Sequence, residues 1–430
     1  MRQSVLISSY ADCCDPARSV YPIAAGLTAD PPVTGTVRRR RIRSRAASLA
    51  ALCTCLLSAG NACAESEVAL YGEIDTGVTY ANPVAGEGGR GRRWSVSSSN
   101  VAGNFVGLRG SEDLGGGASA IFTIEQGIDS SNGQAVEGQP MFVGLSHPVW
   151  GTLTLGLQYD AINDFLAPLT LTGSDGGTYF AHPFDADNAN ASVLSSHSVK
   201  WASADWDGFR VGGQYSIDPE RSDRSTWSIG AGYGAGALSL GAAYAQYADV
   251  AFSDLPEAGI AGIGSAGAPF PPVRVMSSQP AGSDSASVAD AARVARRVYG
   301  AGLNYSLGPA TFGAVYTHVR YDSVNLAPGV RAALDNYEVN ARYDATPAVR
   351  LAAGFTHSSG TLRVAGQSQR AAWNQIGVHA NYAMSRRTDL YAEGLHQRTM
   401  SGAPLAFVNG IGASGTDQMS VLAMGVRHRF

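Results

Sequence analysis

Cysteine is missing from the whole chain after residue 63. Its five copies, Cys13, Cys14, Cys53, Cys55 and Cys63, crowd the N-terminal end. A chain matured past that point forms no disulfide and no thiolate metal site. Charge is scarce as well: Asp, Glu, Lys and Arg make 15% of the residues, against roughly a quarter in a soluble domain, too few for a conventional solvated surface. No apolar run reaches the roughly 18 to 20 residues of a spanning helix, which excludes a helical membrane protein. Helical periodicity is absent from Glu65 onward, and neither a Gly-x-Ser-x-Gly nor a His-Glu-x-x-His motif occurs.

The longest apolar run, Ala46 to Gly60, follows the basic stretch "RRRRIRSR" (38–45) and precedes the small-residue site Ala62-Cys63-Ala64. That order predicts a secretory signal cut before Glu65, so residues 1–64 are expected to be removed and 65–430 to form the mature domain. The segment ahead of about residue 36 resembles neither a domain nor a signal, which points to a later translation start. Setting aside the eight Arg and three Asp of residues 1–64 leaves 23 basic and 32 acidic side chains, a balance near −9. An acidic exported chain is ill suited to nucleic acid.

What the mature region does contain is two-residue alternation. In "VALYGEIDTGVTY" (68–80), Val68, Leu70, Ile74 and Val78 share one parity, and Tyr71, Glu73 and Asp75 the other. The same pattern recurs in segments of about ten residues as far as "LAMGVRHRF", whose last residue is Phe430. Sixteen such segments can be read. Connections such as "SEDLGGG", "SADWDG" and "DATPA" are short, whereas 81–103, 160–195 and 248–293 are long and rich in Gly, Ser, Ala and Pro. An even number of tilted, amphipathic strands joined alternately by short and long connections predicts an all-β fold: a transmembrane antiparallel β-barrel of 16 strands, closed because an open edge would leave backbone groups unpaired in hydrocarbon. Closure pairs the terminal strand with "VALYGEIDTGV".

"FVGLRGSEDLGGGASAIFTIEQG", "FVGLSHPVWGTLTLGLQYD", "SVKWASADWDGFRVGGQYS" and the closing "MGVRHRF" resemble the trimeric general porins of Gram-negative outer membranes, those of β-proteobacteria most of all. The resemblance runs in order along nearly the whole mature chain. It implies an outer-membrane homotrimer passing small hydrophilic solutes and ions, with no cofactor and no metal. It further implies that the barrel-assembly machinery reads Phe430 as its signal, and that a long third loop, here Asp160 to Ser195, folds into the lumen.

A wide barrel holds water, so the polar parity names the pore lining. The candidates are Tyr71, Glu73, Asp75, Phe105, Arg109, Glu125, Leu157, Lys200, Arg210, Arg342 and Arg350, with Asn336, Glu338, Asn340, Gln375, His379 and Asn381 further round. Asp160, Asp164, Asp175, Asp185 and Asp187 are the acidic residues of the constriction loop. Phe105 and Leu157 stand where the family usually places arginine, which lowers positive charge at the eyelet and, with the acidic balance, predicts cation preference. Glu73, Asp75 and Glu125 equally suit loop anchoring. Trp201, Tyr215, Tyr305, Tyr343, Phe355 and Tyr382 read as outward girdle aromatics. The eight histidines have no repeated acid or nucleophile partner, so an enzyme is not expected. A substrate-selective channel with an arginine ladder is the nearer alternative, and an adhesin role would rest on 248–293 alone.

Overall fold

The computed structural model describes residues 66–86, 89–217, 225–251, 293–323, 331–364, 367–400 and 405–430. The expected signal region and nearly all of the 248–293 connection lie outside the described residues.

Sixteen antiparallel strands form the wall. They are β1 (Ser66–Gly86), β2 (Phe105–Gly115), β3 (Ala118–Asp129), β4 (Met141–His147), β5 (Gly151–Gln158), β6 (Ser195–Ala202), β7 (Phe209–Ser216) and β8 (Thr226–Ala235), then β9 (Leu238–Ala251), β10 (Arg293–Leu307), β11 (Ala310–Ser323), β12 (Arg331–Thr346), β13 (Val349–Val364), β14 (Gln367–Ala383), β15 (Thr388–Thr399) and β16 (Gln418–Arg429). Each pairs with its sequence neighbours, and β16 returns to β1 in the register Glu73↔Arg429 to Asn82↔Ser420, which seals the cylinder. Phe430 completes the seam. Its N–H donates to the Gly72 carbonyl and its carbonyl accepts from the Gly72 N–H, both at 3.1 Å. Gly72 lies so close to the aromatic ring that a Cβ there would sit 2.6 Å from it, so the terminal phenylalanine needs a glycine opposite.

The two parities meet different surroundings. Val68, Leu70, Ile74 and Val78 are 45–64% exposed on the outer face, while Asp75 and Thr79 are buried inside. All six expected girdle aromatics face outward, 38–50% exposed. Leu157 departs from expectation. Register links Leu70, Leu108, Ile124, Met141 and Leu157 into one outward row, and Leu157 alternates with the inward Thr154 and Gln158, so it belongs to the outer face and not to the pore lining.

Three connections carry strands of their own, and in the one between β3 and β4 Gln134–Val136 pairs with Gly127–Asp129. Gly89–Ser98 folds back on the extension of β1 (Thr76↔Ser98), carrying the sheet past the closed wall, because its own alternation continues through Trp94 and Val96. Phe407–Val408 and Gly412–Ala413 form a small hairpin between β15 and β16.

The third loop lies inside the barrel. It opens with the short helix α1 (Ala161–Phe165), capped by Asp160, whose carboxylate accepts from the Asn163 N–H at 3.1 Å. The inner wall beneath it is paved with glycine. A Cβ at Gly230 would stand 2.4 Å from the Phe165 ring, one at Gly241 2.1 Å from the Phe165 carbonyl, and one at Gly377 2.3 Å from the Phe180 ring. Leu166, Leu169 and Leu171 seat likewise over Gly300, Gly302 and Gly354. The molecule's hydrophobic core is therefore loop against inner wall: Ile162, Leu166 and Phe184 pack with Val298, Val319 and Trp373. That burial, at roughly 25 cal/mol per Å² of apolar surface, holds the loop down.

Candidate functional site

Inside the lumen, β12 carries Asn336, Glu338, Asn340 and Arg342 on its inward row, alternating with the exposed Tyr337, Val339 and Tyr343. Glu338 is the loop's main anchor. Its carboxylate accepts from the Leu171 N–H at 2.7 Å, the Asn340 amide at 2.6 Å and His182 Nε2 at 2.9 Å. The other His182 nitrogen meets Asp187 at 2.6 Å, and Asp187 also accepts from the Thr317 hydroxyl at 2.6 Å. Burial alone would push the His182 imidazole down, but carboxylates on both sides outweigh it and hold the ring protonated up to about 10. Ser358, Asn336 and Thr317 extend the network across three strands, at 2.7 and 3.0 Å. A buried network so fully bonded fixes the loop in a single position.

A second anchor lies nearer the start of the loop. Asp160 accepts from Tyr247 and, at 2.8 Å, from the Asn188 amide, while the Arg296 guanidinium stacks 3.8 Å over the Tyr247 ring. A third joins the loop to β1 and β15. Tyr179 donates to Asn100 at 2.7 Å, Asn100 to Tyr391 at 2.9 Å, and Tyr391 to Asp75 at 2.6 Å. Asp75 also accepts from the N–H groups of Val101 and Ala102 at 2.6 and 3.0 Å.

These anchors revise the expected lining. Asp75, Asp160, Asp185 and Asp187 are all at most 1% exposed, so none of them faces the passage. Asp185 turns inward to the N–H groups of Asn190 and Ser192, at 2.8 and 3.2 Å. Loop backbone donors need acceptors once water is excluded, and these carboxylates supply them. Asp164 and Asp175 remain at the surface of the passage, each tied to wall cations. Lys200 reaches Asp164 at 2.6 Å, and Asp175 lies 3.4 Å from Arg342 and 3.3 Å from Arg350.

The remaining lumen residues stand on the inward parity. On the arc β1–β3, Phe105 meets Tyr71 edge-on at 5.5 Å, Arg109 stacks 4.8 Å over the Tyr71 ring, and the Tyr71 hydroxyl donates to Glu125 at 2.5 Å. Arg210 shares its row with Gly212 and Gln214. Glu73 lies 3.5 and 3.7 Å from Arg427 and Arg429, which also bind Asp389 at 3.0 and 2.8 Å. Arg427, Arg429, Asp389 and Asp344 were not among the sequence candidates. The signal was present, since Arg427 and Arg429 oppose the greasy parity of the closing segment. Together with Arg350, His379 and Asn381 they surround a polar cleft of about 230 Å³ on the inner wall. His379 contacts Glu393 at 3.0 Å, and Gln375 donates to the Ala181 carbonyl at 3.4 Å.

A sealed strand cylinder with lipid-type residues outside, a charged interior and a loop seated within is the architecture of a transmembrane diffusion barrel. The family profile described as Gram-negative porin matches residues 46–400, and the chain belongs to that family. An outer membrane porin protein of Bordetella pertussis is 30% identical over 180 residues, covering 38% of this chain and 46% of that protein. Outer membrane porin protein 32 of Delftia acidovorans is 29% identical over 41% of this chain and 51% of its own length. The chain thus spans about half the length of the curated relatives it matches. Among solved structures, the anion-selective porin from Comamonas acidovorans superposes with a TM-score of 0.64 at 18% identity, over 85% of this chain and 100% of that one. The trimer form of the Vibrio cholerae outer membrane protein OmpT superposes at 0.60 and 16% identity, over 85% and 99%. The chain is an outer-membrane, multi-pass β-barrel protein.

Proposed function

We propose that the protein is a passive diffusion channel for small hydrophilic solutes and ions, working as a homotrimer after removal of residues 1–64 and assembled by machinery that reads Phe430. The carrying observation is the charged inner wall: a polar cleft lined by Asp175, Arg350, Asp389, Arg427 and Arg429, with Tyr71, Arg109 and Glu125 on the neighbouring inward rows. Membership of the porin family favours conduction over the enzyme alternative.

The cation preference expected from the sequence rested on Phe105 and Leu157 standing where the family usually places arginine and on the acidic balance of the mature chain, which the loop carboxylates would have reinforced. Three of the five are buried as anchors and two are ion-paired, while Arg350 and Arg429 keep 48% and 40% of their side-chain surface exposed. Exposed guanidiniums facing paired carboxylates favour a weak lean toward anions, because confined charges of one sign set the local potential. Planar bilayers with a tenfold KCl gradient test this: the expected reversal potential has the chloride sign. Phe105→Arg is expected to strengthen it by adding a cation beside Arg109. A potassium-signed potential would restore the cation reading. Conductance that saturates with one solute would favour a substrate-selective channel instead.

A further inference from the structure

Along the inward row of β2, Phe105, Gly107 and Arg109 follow one another, and register sets Gly107 opposite Tyr71 on β1 and Glu125 on β3. The glycine leaves a gap that its neighbours fill. A Cβ at position 107 would stand 3.0 Å from the Tyr71 ring and 3.0 Å from Glu125 Cγ, so the two long side chains lean together across it and the Tyr71 hydroxyl donates to the Glu125 carboxylate at 2.5 Å. With its hydroxyl tied, the Tyr71 ring is held between its row neighbours. Phe105 meets it edge-on, with centroids 5.5 Å apart and planes at 73°, and the Arg109 guanidinium lies 4.8 Å from its centre.

Other lumen cations are committed to carboxylates. Lys200 is paired with Asp164, Arg342 with Asp175, Arg350 with Asp344, and Arg427 and Arg429 with Asp389. Arg109 is exposed and makes no hydrogen bond or ion pair among the described residues, although Glu125 stands on the neighbouring strand, since that carboxylate takes the Tyr71 hydroxyl instead. Stacking occupies only the face of a planar guanidinium, so the N–H groups around its edge stay open to a bidentate acceptor. Phe105 is half-buried on the same inward row, and part of its ring is open to the lumen. An open cationic fork and an open ring, about 13 Å apart along β2 at roughly 3.3 Å per residue and bridged by a fixed tyrosine, put two kinds of recognition on one strip. Inorganic anions would use only the guanidinium, and uncharged aromatic solutes only the rings. A solute that uses both carries a carboxylate on an aromatic ring.

We propose that this strip is a binding subsite for aromatic carboxylates, the carboxylate taken by Arg109 in a bidentate pair and the ring packed against Tyr71 and Phe105. The assignment rests on the conduction reading above and names a solute class for it.

The test is block of KCl current through single channels in planar bilayers, with benzoate, acetate and benzyl alcohol as probes. Benzoate is expected to halve the current at a concentration about tenfold or more below that of acetate, which has the charge without the ring, and of benzyl alcohol, which has the ring without the charge. Arg109→Gln is expected to weaken benzoate block about tenfold or more. Phe105→Leu, which keeps the apolar bulk and removes the ring, should weaken it about fivefold and leave acetate block unchanged. Equal block by benzoate and acetate, or by benzoate and benzyl alcohol, would overturn the proposal while leaving conduction intact. Benzoate block unchanged in both variants would overturn it too, by placing the ligand elsewhere on the wall. Absence of KCl current would sink the conduction reading alone. Equilibrium dialysis of labelled benzoate against the detergent-solubilised wild type and R109Q then decides the subsite, and equal binding to the two would overturn it.

Discussion

Glu338→Leu is expected to unseat the third loop and enlarge the channel. The substitution removes the acceptor of the Leu171 N–H, the Asn340 amide and His182, and leaves the protonated imidazole buried with Asp187 alone. Breaking a buried, hydrogen-bonded ion pair by deleting one partner costs about 3–5 kcal/mol. The apolar seat over the wall glycines opposes release, so the loop should detach in part, raising single-channel conductance and exposing residues 165–190 to protease. Conductance and protection equal to wild type would show that the glycine pavement alone suffices. The same anchor predicts a pH dependence. The His182 pKa rises on folding from 6.5 to about 10, so its contribution is full below 6.5 and is lost as pH climbs toward 10. Asp185 is pushed up to about 6, chiefly by burial and then by Asp187, so holding it charged above that pH also costs stability. Asp187, despite its burial, is drawn below its ordinary 3.8 by His182, and its contribution is lost only as pH falls below that value. The loop should therefore be held most firmly near pH 3.8, weaken as Asp185 ionises toward about 6 and loosen further from 6.5 toward 10, which conductance fluctuations recorded across pH 4 to 10 would reveal.

Asp75→Ala should loosen the joint between β1, β15 and the connection that follows β1. It strands the N–H groups of Val101 and Ala102 and the Tyr391 hydroxyl, all buried or half-buried, at about 1–3 kcal/mol each. A total on the order of 4 kcal/mol corresponds to a drop of roughly 5–10 °C in the temperature at which the folded form is lost in detergent. Asp75→Asn keeps the volume and one acceptor, and should fall between the two. A melting temperature within a degree of wild type would refute the anchoring role. Permeability measured alongside distinguishes this from a lining role, since a residue reached by solutes would change selectivity before stability.

Alternation in the sequence specified the wall because side-chain period and environment are coupled residue by residue: once Val68 and Leu70 face lipid, Tyr71 and Glu73 face the lumen. The seam at Phe430 was readable for the same reason. Leu157 was misplaced because its position was inferred from where the family puts an arginine, whereas its own parity with Leu153 and Leu155 placed it outward. The fate of the loop acids was not legible at all. Whether Asp187 faces water or Thr317 is a long-range matter, decided by how the loop lands on strands more than a hundred residues away. The glycine pavement was visible as composition, but its meaning appears only when Phe165 and Phe180 lie upon it.

That pavement also decides which way traffic runs. With the loop laid along β7–β14, the free cross-section is displaced from the barrel axis toward the opposite arc. What the loop leaves open is one stretch of inner wall, from the polar cleft of Arg350, Asp389, Arg427 and Arg429 to the aromatic and mixed-charge shore of Tyr71, Phe105, Arg109 and Glu125. Under the proposed conduction, exchanges along that stretch should alter what is admitted, whereas exchanges on the wall beneath the loop should act first on its seating.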